Sequence, residues 1–323
     1  MMLVLKIIAT SLGRLLLYMG LIASINHSEI AAMSEVSDTL SRSSSTSEIS
    51  EEGCQIDRFT LRSESMQRDI KVVVVLPPGY LHDNDQQFPI LYTLHGYGAP
   101  YDTWAQMRKL QQQLKEKPFI YACFDGDIGS CYIDSTNKIN VARETDKGQV
   151  EELQLSYFRT FFFDEFMPAI DQRYRTNPDK RGLTGFSMGG GGSLTYMLDQ
   201  PDLFCSVSGL STAYFNFDST ESRLSNRLAH YIGSKEENPE AYERLDHYKA
   251  IKRHLDAGTQ LPPIYQHIGT EDFLLEENRE FNVFAEANGL DLIYRETDGA
   301  HNWAFWHPAS VEVAEFHWDH FRQ

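Results

Sequence analysis

Only four of the 323 residues are cysteine: Cys54, Cys123, Cys131 and Cys205. No two form a C-x-x-C pair and no thiolate-rich cluster occurs, so dithiol redox catalysis and structural zinc are not expected. Spacing cannot choose among the possible pairings. Cys123 and Cys131, across a Gly-Asp-rich loop, are the first pair to test, with buried free thiols as the alternative. Basic residues are few as well: 29 Lys and Arg stand against 46 Asp and Glu, a formal net charge of −17. That field repels nucleic acid and anionic membrane surfaces, which are therefore not expected partners. The sequence also lacks an apolar run of the roughly 20 residues that span a bilayer. Lys6 and Arg14 are the only charges before Ile25, and the longest uncharged run there is Leu15 to Ile25. No internal repeat is present.

What the N-terminus does have is the short apolar core of a signal peptide, followed by small residues at Ile30-Ala31-Ala32 where cleavage could occur. Residues 1–32 are thus expected to be a signal peptide of an exported protein, secreted or periplasmic, with no stable membrane span after processing. The alternative is an uncleaved N-terminal anchor. From 33 to 53 the composition turns to Ser, Thr and Glu, too little apolar surface to repay ordering, and a disordered linker is expected. Residues 54–323 are then one catalytic domain.

Within it, short apolar runs alternate with helical patterns, the rhythm of a mostly parallel sheet. Phe59 to Arg62 and Asp69 to Leu76 suggest an early hairpin. Phe88 to Leu94, Pro118 to Phe124, Arg181 to Thr184, Phe204 to Ser211, Pro263 to Gly269 and Leu290 to Thr297 follow as strands. The spacing predicts helices over Trp104–Leu114, over Tyr157–Tyr174 with an interruption at Pro168, and over Ser310–Arg322. Residues 213–260 read as a charged helical insertion, a solvated decoration or a lid.

Gly185-Phe186-Ser187-Met188-Gly189, followed by Gly190, Gly191 and Gly192, reads as a nucleophile elbow, in which a strand turns sharply into a helix and presents a serine above the sheet. Helix propensity opposes the glycine run at about 1 kcal/mol per residue, so close packing or substrate access must favour it. The alternative is a flexible Gly-Ser loop. A serine nucleophile needs a base, a group to orient the base, and donors for an oxyanion. Asp272 follows a later strand and His301 follows the last, giving Ser, Asp, His in the order of an α/β-hydrolase, each at a strand's carboxyl end. Glu271 and Asp298 are rival acids, Asp298 being better placed to steady its own turn. His95, at the strand end before Gly96, is expected to be structural. The oxyanion donors are expected to be the backbone N–H groups of Tyr97 and Met188. His317 and His320 lie on one helical side, but no third ligand is specified and no metal is expected. Trp303, Phe305 and Trp306 are expected in core or pocket wall.

These residues resemble the esterase D-like branch of the α/β-hydrolases, which includes S-formylglutathione hydrolases, tributyrin, acetyl and feruloyl esterases, and the antigen 85 mycolyltransferases. The likeness runs from about residue 56 to 320 and is carried by Val75-Leu76-Pro77-Pro78-Gly79-Tyr80, Leu94-His95-Gly96, Met167-Pro168-Ala169-Ile170-Asp171, the elbow, Gly269-Thr270-Glu271-Asp272-Phe273-Leu274 and Gly299-Ala300-His301-Asn302-Trp303. It implies an eight-stranded, mostly parallel α/β-hydrolase sheet with a helical insertion before the acid-bearing strand. It also implies a Ser187, Asp272 and His301 triad working through an acyl-enzyme without a cofactor, on a small-molecule or carbohydrate ester. Cys131-Tyr132 and Ser156-Tyr157-Phe158 depart from the pattern and leave the acyl and alcohol preference open. An acyltransferase, an S-formylglutathione hydrolase and a non-catalytic binding protein on the same fold are the rival readings.

Overall fold

A computed structural model describes residues 45–81, 85–136, 141–144, 150–153, 156–218 and 225–323. The signal peptide and most of the linker expected before Cys54 lie outside the described residues.

The strands are β1 (Thr46–Ile49), β2 (Gln55–Ser63), β3 (Arg68–Leu76), β4 (Phe88–Leu94), β5 (Ile120–Phe124), β6 (Val141–Glu144), β7 (Val150–Leu153), β8 (Thr176–Phe186), β9 (Ser206–Leu210), β10 (Ile264–Gly269) and β11 (Leu292–Thr297). The helices are α1 (Arg108–Gln113), α2 (residues 158–173), α3 (Met188–Asp199), α4 (Ser225–Ile232), α5 (Pro239–Leu245), α6 (His247–Asp256), α7 (Leu275–Ala287) and α8 (Trp303–Phe321). Among the described residues nine strands form one sheet in the order β1-β2-β3-β5-β4-β8-β9-β10-β11, and β6 pairs with β7 apart from it. From β5 to β11 every pairing is parallel, while β1, β2 and β3 join antiparallel. This is an α/β-hydrolase sheet with one strand more than expected.

The extra strand is β1. It lies inside the segment expected to be a linker, so part of that segment is a sheet strand rather than disordered chain. All its residues are exposed; it joins the sheet through the free backbone groups of β2's edge and needs no apolar surface to do so.

Both sheet faces are covered, which explains the unbroken β-branched run in β3. Val72 and Val74 point into a core with α2 and α3, whereas Val73 and Val75 point into a second core with α1 and α8. The first core is aromatic: Phe124, Phe158, Phe161, Phe162, Phe166 and Tyr196 are fully buried and meet ring to ring. The two faces also settle the cysteines. Cys123 belongs to one core and Cys131 to the other, so the sheet stands between them, and all four thiols are free.

The interruption expected at Pro168 is absent. Helix α2 runs on through a wide π turn at Phe161–Phe166, where the Met167 N–H reaches the Phe162 carbonyl. That turn moves the preceding carbonyls out of the way of the Pro168 ring, which would clash with them in a regular α-helix. The 213–260 insertion is a wall rather than a free lid over its described residues. Leu228, Tyr242, Leu245 and Ile251 join the aromatic core, and the buried His247 is bonded on both sides. Its Nδ1 accepts from the Phe215 N–H at 3.1 Å, so its Nε2–H is left to donate to Thr195 Oγ1 at 2.9 Å.

Helix α8 docks through His317, which sits between two serine hydroxyls of β9, at 2.7 Å from Ser206 and 2.8 Å from Ser208. Both ring nitrogens are thereby occupied. His320 bonds the Phe316 carbonyl of its own helix.

Candidate active site

At the end of β8 the chain reverses direction within one residue. Ser187 has φ 56° and ψ −120°, a conformation costly for any residue with a side chain. Its surroundings hold it there. The Ser187 N–H donates to the Leu210 carbonyl at the end of β9, and the Ser187 carbonyl accepts from Gly190 and from Ala213. The glycine run is explained by close packing. A Cβ on Gly189 would lie 2.3 Å from the Leu94 carbonyl oxygen, and one on Gly191 would lie 2.3 Å from that of Ala213. Strand ends press against the first turns of α3, and only glycine allows them so near.

The expected acid and base meet this serine. His301 Nε2 is 2.9 Å from Ser187 Oγ, and His301 Nδ1 is 2.9 Å and 3.0 Å from the two carboxylate oxygens of Asp272. A carboxylate only accepts, so a neutral His301 carries its proton on Nδ1, and the lone pair of Nε2 faces the serine hydroxyl. Burial alone would raise the Asp272 pKa. Hydrogen bonds from His301 and the Leu274 amide outweigh it, and the carboxyl ends below its ordinary value. The arrangement is therefore a buried anion, an oriented imidazole and a strained hydroxyl in line, the parts needed to deprotonate the serine as it attacks.

The rivals lie elsewhere. Glu271 is exposed, and its N–H is used to hold the turn by bonding the Gly299 carbonyl. Asp298 is exposed too, and the side-chain cap of that turn comes instead from Asn302, whose carbonyl oxygen accepts from the Phe305 N–H. His95 is buried. Its Nε2 accepts from the Gly126 N–H at 2.9 Å, leaving Nδ1–H to donate to the Gly96 carbonyl at 2.8 Å. Burial lowers its pKa and keeps it neutral, so this ring joins two loops and does not face Ser187.

Ser187 and His301 open into a cavity of about 610 Å³. Tyr97 and Met188, the expected oxyanion donors, line it, as do Phe186, Phe273, Trp303 and Trp306. Of the three aromatics expected as core or wall, Trp303 and Trp306 are wall and Phe305 is core against His267. Three groups of wall residues were not anticipated: Tyr214 and Asn216 after β9, Tyr248 from the insertion, and Glu276, Glu277 and Glu280 on α7. The carboxylates recur at helical spacing just beyond Asp272, a pattern that places them on one side of α7.

A family model described as "Putative esterase" matches residues 63–313. The acetyl esterase of Caldicellulosiruptor saccharolyticus is 26% identical over 289 residues, which is 81% of this chain and 97% of that protein. Among solved structures, an S-formylglutathione hydrolase from Agrobacterium tumefaciens superimposes with a TM-score of 0.70 at 18% identity, over 85% of this chain and 98% of its own. A ferulic acid esterase does so with a TM-score of 0.63 at 23% identity, over 83% of this chain and 98% of its own. At those identities the two structures speak for the fold.

Proposed function

Because the chain belongs to this esterase family, and is a serine ester hydrolase, we propose that it cleaves short-chain acyl or carbohydrate-linked esters through an acyl-enzyme on Ser187. The observation that carries the reading is the hydrogen-bonded line from Ser187 to His301 to Asp272 at a cavity wall. Ser187 Oγ attacks the ester carbonyl while His301 Nε2 takes its proton. The oxygen that becomes negative is received by the backbone N–H groups of Met188 and Tyr97. Asp272 keeps the imidazolium oriented and neutralised. His301 then returns the proton to the departing alcohol oxygen, and water repeats the sequence in reverse roles to free the acid and regenerate Ser187.

Small acyl groups are favoured by the likeness to an acetyl esterase over nearly that protein's whole length. Carbohydrate alcohols are favoured by the exposed rings Phe273 and Trp303 at the cavity, 57% and 43% accessible, which offer flat apolar faces. Purified protein is expected to hydrolyse p-nitrophenyl acetate and to show an acetyl mass adduct on Ser187 under rapid quench. Ser187→Ala should lose both, and unchanged turnover in that variant would sink the assignment. Adding a sugar acceptor separates hydrolysis from acyl transfer by the product formed. We also propose that the protein is exported, on the strength of the Leu15 to Ile25 run and the small residues after it. N-terminal sequencing of the protein from the producing cell's exterior or periplasm tests this; recovery only from cytoplasm with residue 1 intact would overturn it.

A further inference from the structure

We propose that Tyr132 is a positioning residue for the oxyanion donors, acting through His95, an inference that rests on the esterase reading above. In a trans peptide the C=O and the N–H point in opposite directions, so whatever holds the carbonyl of one residue also aims the N–H of the next. For the two donors those carbonyls belong to Ser187, before Met188, and to Gly96, before Tyr97. The Ser187 carbonyl accepts the N–H groups of Gly190, Gly191 and Ala213 at 3.0, 3.3 and 3.1 Å. The Gly96 carbonyl accepts His95 Nδ1–H at 2.8 Å and the Ala99 N–H at 3.1 Å. His95 is buried, whereas Tyr97 lines the cavity. Holding the Gly96 carbonyl against the buried ring thus turns the Tyr97 N–H to the cavity side.

His95 can aim that peptide only while it is itself held. Its Nε2 is fixed by the Gly126 N–H, and its own carbonyl accepts the Tyr132 hydroxyl at 2.9 Å. One residue earlier, the Leu94 carbonyl accepts Trp104 Nε1–H at 2.9 Å. Three successive carbonyls after the core of β4 therefore each receive a side-chain donor, and three successive peptide planes are held.

Tyr132 reaches this place through a strained backbone. It and Cys131 have φ 60° and 55°, in the left-handed region that a bulky residue avoids. Such outliers need compensating interactions. The Tyr132 N–H donates to Ser130 Oγ at 3.1 Å, and that hydroxyl donates in turn to the Gly126 carbonyl. The ring is fully buried and meets the His95 ring edge-on at 5.8 Å. Gly126 and, on α3, Gly192 leave room for it: a Cβ would stand 2.4 Å from the ring at the first and 2.6 Å at the second. One ring thus touches both the oxyanion loop and the elbow helix. Tyr132 exchanges no proton with substrate; it acts through the His95 peptide.

Tyr132→Phe keeps the ring and removes the hydroxyl. A lost oxyanion donor costs about 10²–10³ in kcat, and a misaimed one should cost about tenfold, with KM within about twofold. The discriminating measurement is inhibition by a trifluoromethyl ketone. Its carbonyl carbon bonds to Ser187 Oγ, the serine proton passes to His301, and the ketone oxygen becomes the oxyanion. Ketone affinity in Tyr132→Phe should therefore weaken by the same factor as kcat/KM. Tyr196→Phe is the control, since it removes the hydroxyl of an equally buried tyrosine that donates to the Phe158 carbonyl at 2.9 Å. It should lower the urea midpoint and leave kcat and ketone affinity within about twofold of the parent. Parental kcat and ketone affinity in Tyr132→Phe would overturn the proposal, and so would equal losses in Tyr196→Phe. Should Tyr132→Phe fail to fold, His95→Asn and His95→Ala read the Gly96 carbonyl directly, because the Asn amide can donate where Nδ1–H stood and alanine cannot. His95→Asn should bind the ketone about tenfold more tightly than His95→Ala, and equal binding would count against the aiming of Tyr97. With Ser187→Ala inactive, those negative results leave the esterase assignment standing, whereas an active Ser187→Ala removes that assignment itself.

Discussion

Replacing Gly191 with alanine puts two physical effects in direct opposition. Alanine is the better helix former, by about 1 kcal/mol, and Gly191 lies inside α3. On propensity alone the variant should be more stable. The packing says otherwise: the new Cβ would stand 2.3 Å from the Ala213 carbonyl oxygen, a backbone atom that cannot rotate away. A relaxed carbon-to-oxygen contact is about 1 Å longer, so α3 and the chain after β9 would have to separate by that amount. Overpacking of this kind costs about 1–3 kcal/mol, and more when the obstruction is main chain. The balance is a net loss of about 1–2 kcal/mol or greater. The separation also pulls on the elbow, because the Ala213 N–H donates to the Ser187 carbonyl at 3.1 Å. Urea unfolding followed by tryptophan fluorescence should therefore show a lower midpoint with an unchanged slope, and initial rates on p-nitrophenyl acetate should fall. A variant as stable as the parent, with parental kcat, would refute the claim that close approach selects the glycines.

Three other outcomes are expected. Asp272→Asn preserves shape but can donate toward His301 and favour the wrong tautomer; kcat should fall about 10⁴-fold with KM little changed, measured on the same ester. His247 and His317 are fully buried, and burial pushes each pKa down from 6.5 to about 3. The unfolded chain therefore takes up protons that the native one refuses: stability is complete above about pH 6.5 and declines as pH falls toward 3. The loss is about 2 kcal/mol per histidine by pH 5, and a urea midpoint that stays flat between pH 7 and 5 would contradict it. Phe162→Ala removes a fully buried ring that stacks on Tyr196 at 4.4 Å and meets Tyr92 edge-on. A loss of about 3–5 kcal/mol is expected in the same unfolding experiment.

The sheet and the Ser187, Asp272, His301 meeting were legible because they rest on strong local signals. Apolar runs mark buried strands, and a parallel sheet delivers the residues after those runs to one edge. Features that depend on backbone alone were not legible. Strand β1 pairs without burying a side chain, so a Ser-rich sequence hides it. The π turn before Pro168 is a choice between two hydrogen-bond registers that the same phenylalanines satisfy. The separation of Cys123 from Cys131 follows from which sheet face each occupies, and spacing across a loop does not report that.

The strained elbow has a consequence for the order in which this molecule comes alive. Ser187 and His301 are 114 positions apart in the chain, and such distant pairings form late. Until the chain after β9 is in place, the Leu210 carbonyl and the Ala213 N–H are not there to hold Ser187 at positive φ. A half-folded chain therefore carries an ordinary, unreactive serine. The contacts that hold the nucleophile in its strained form are thus native contacts of the neighbouring strand and of the chain that follows it.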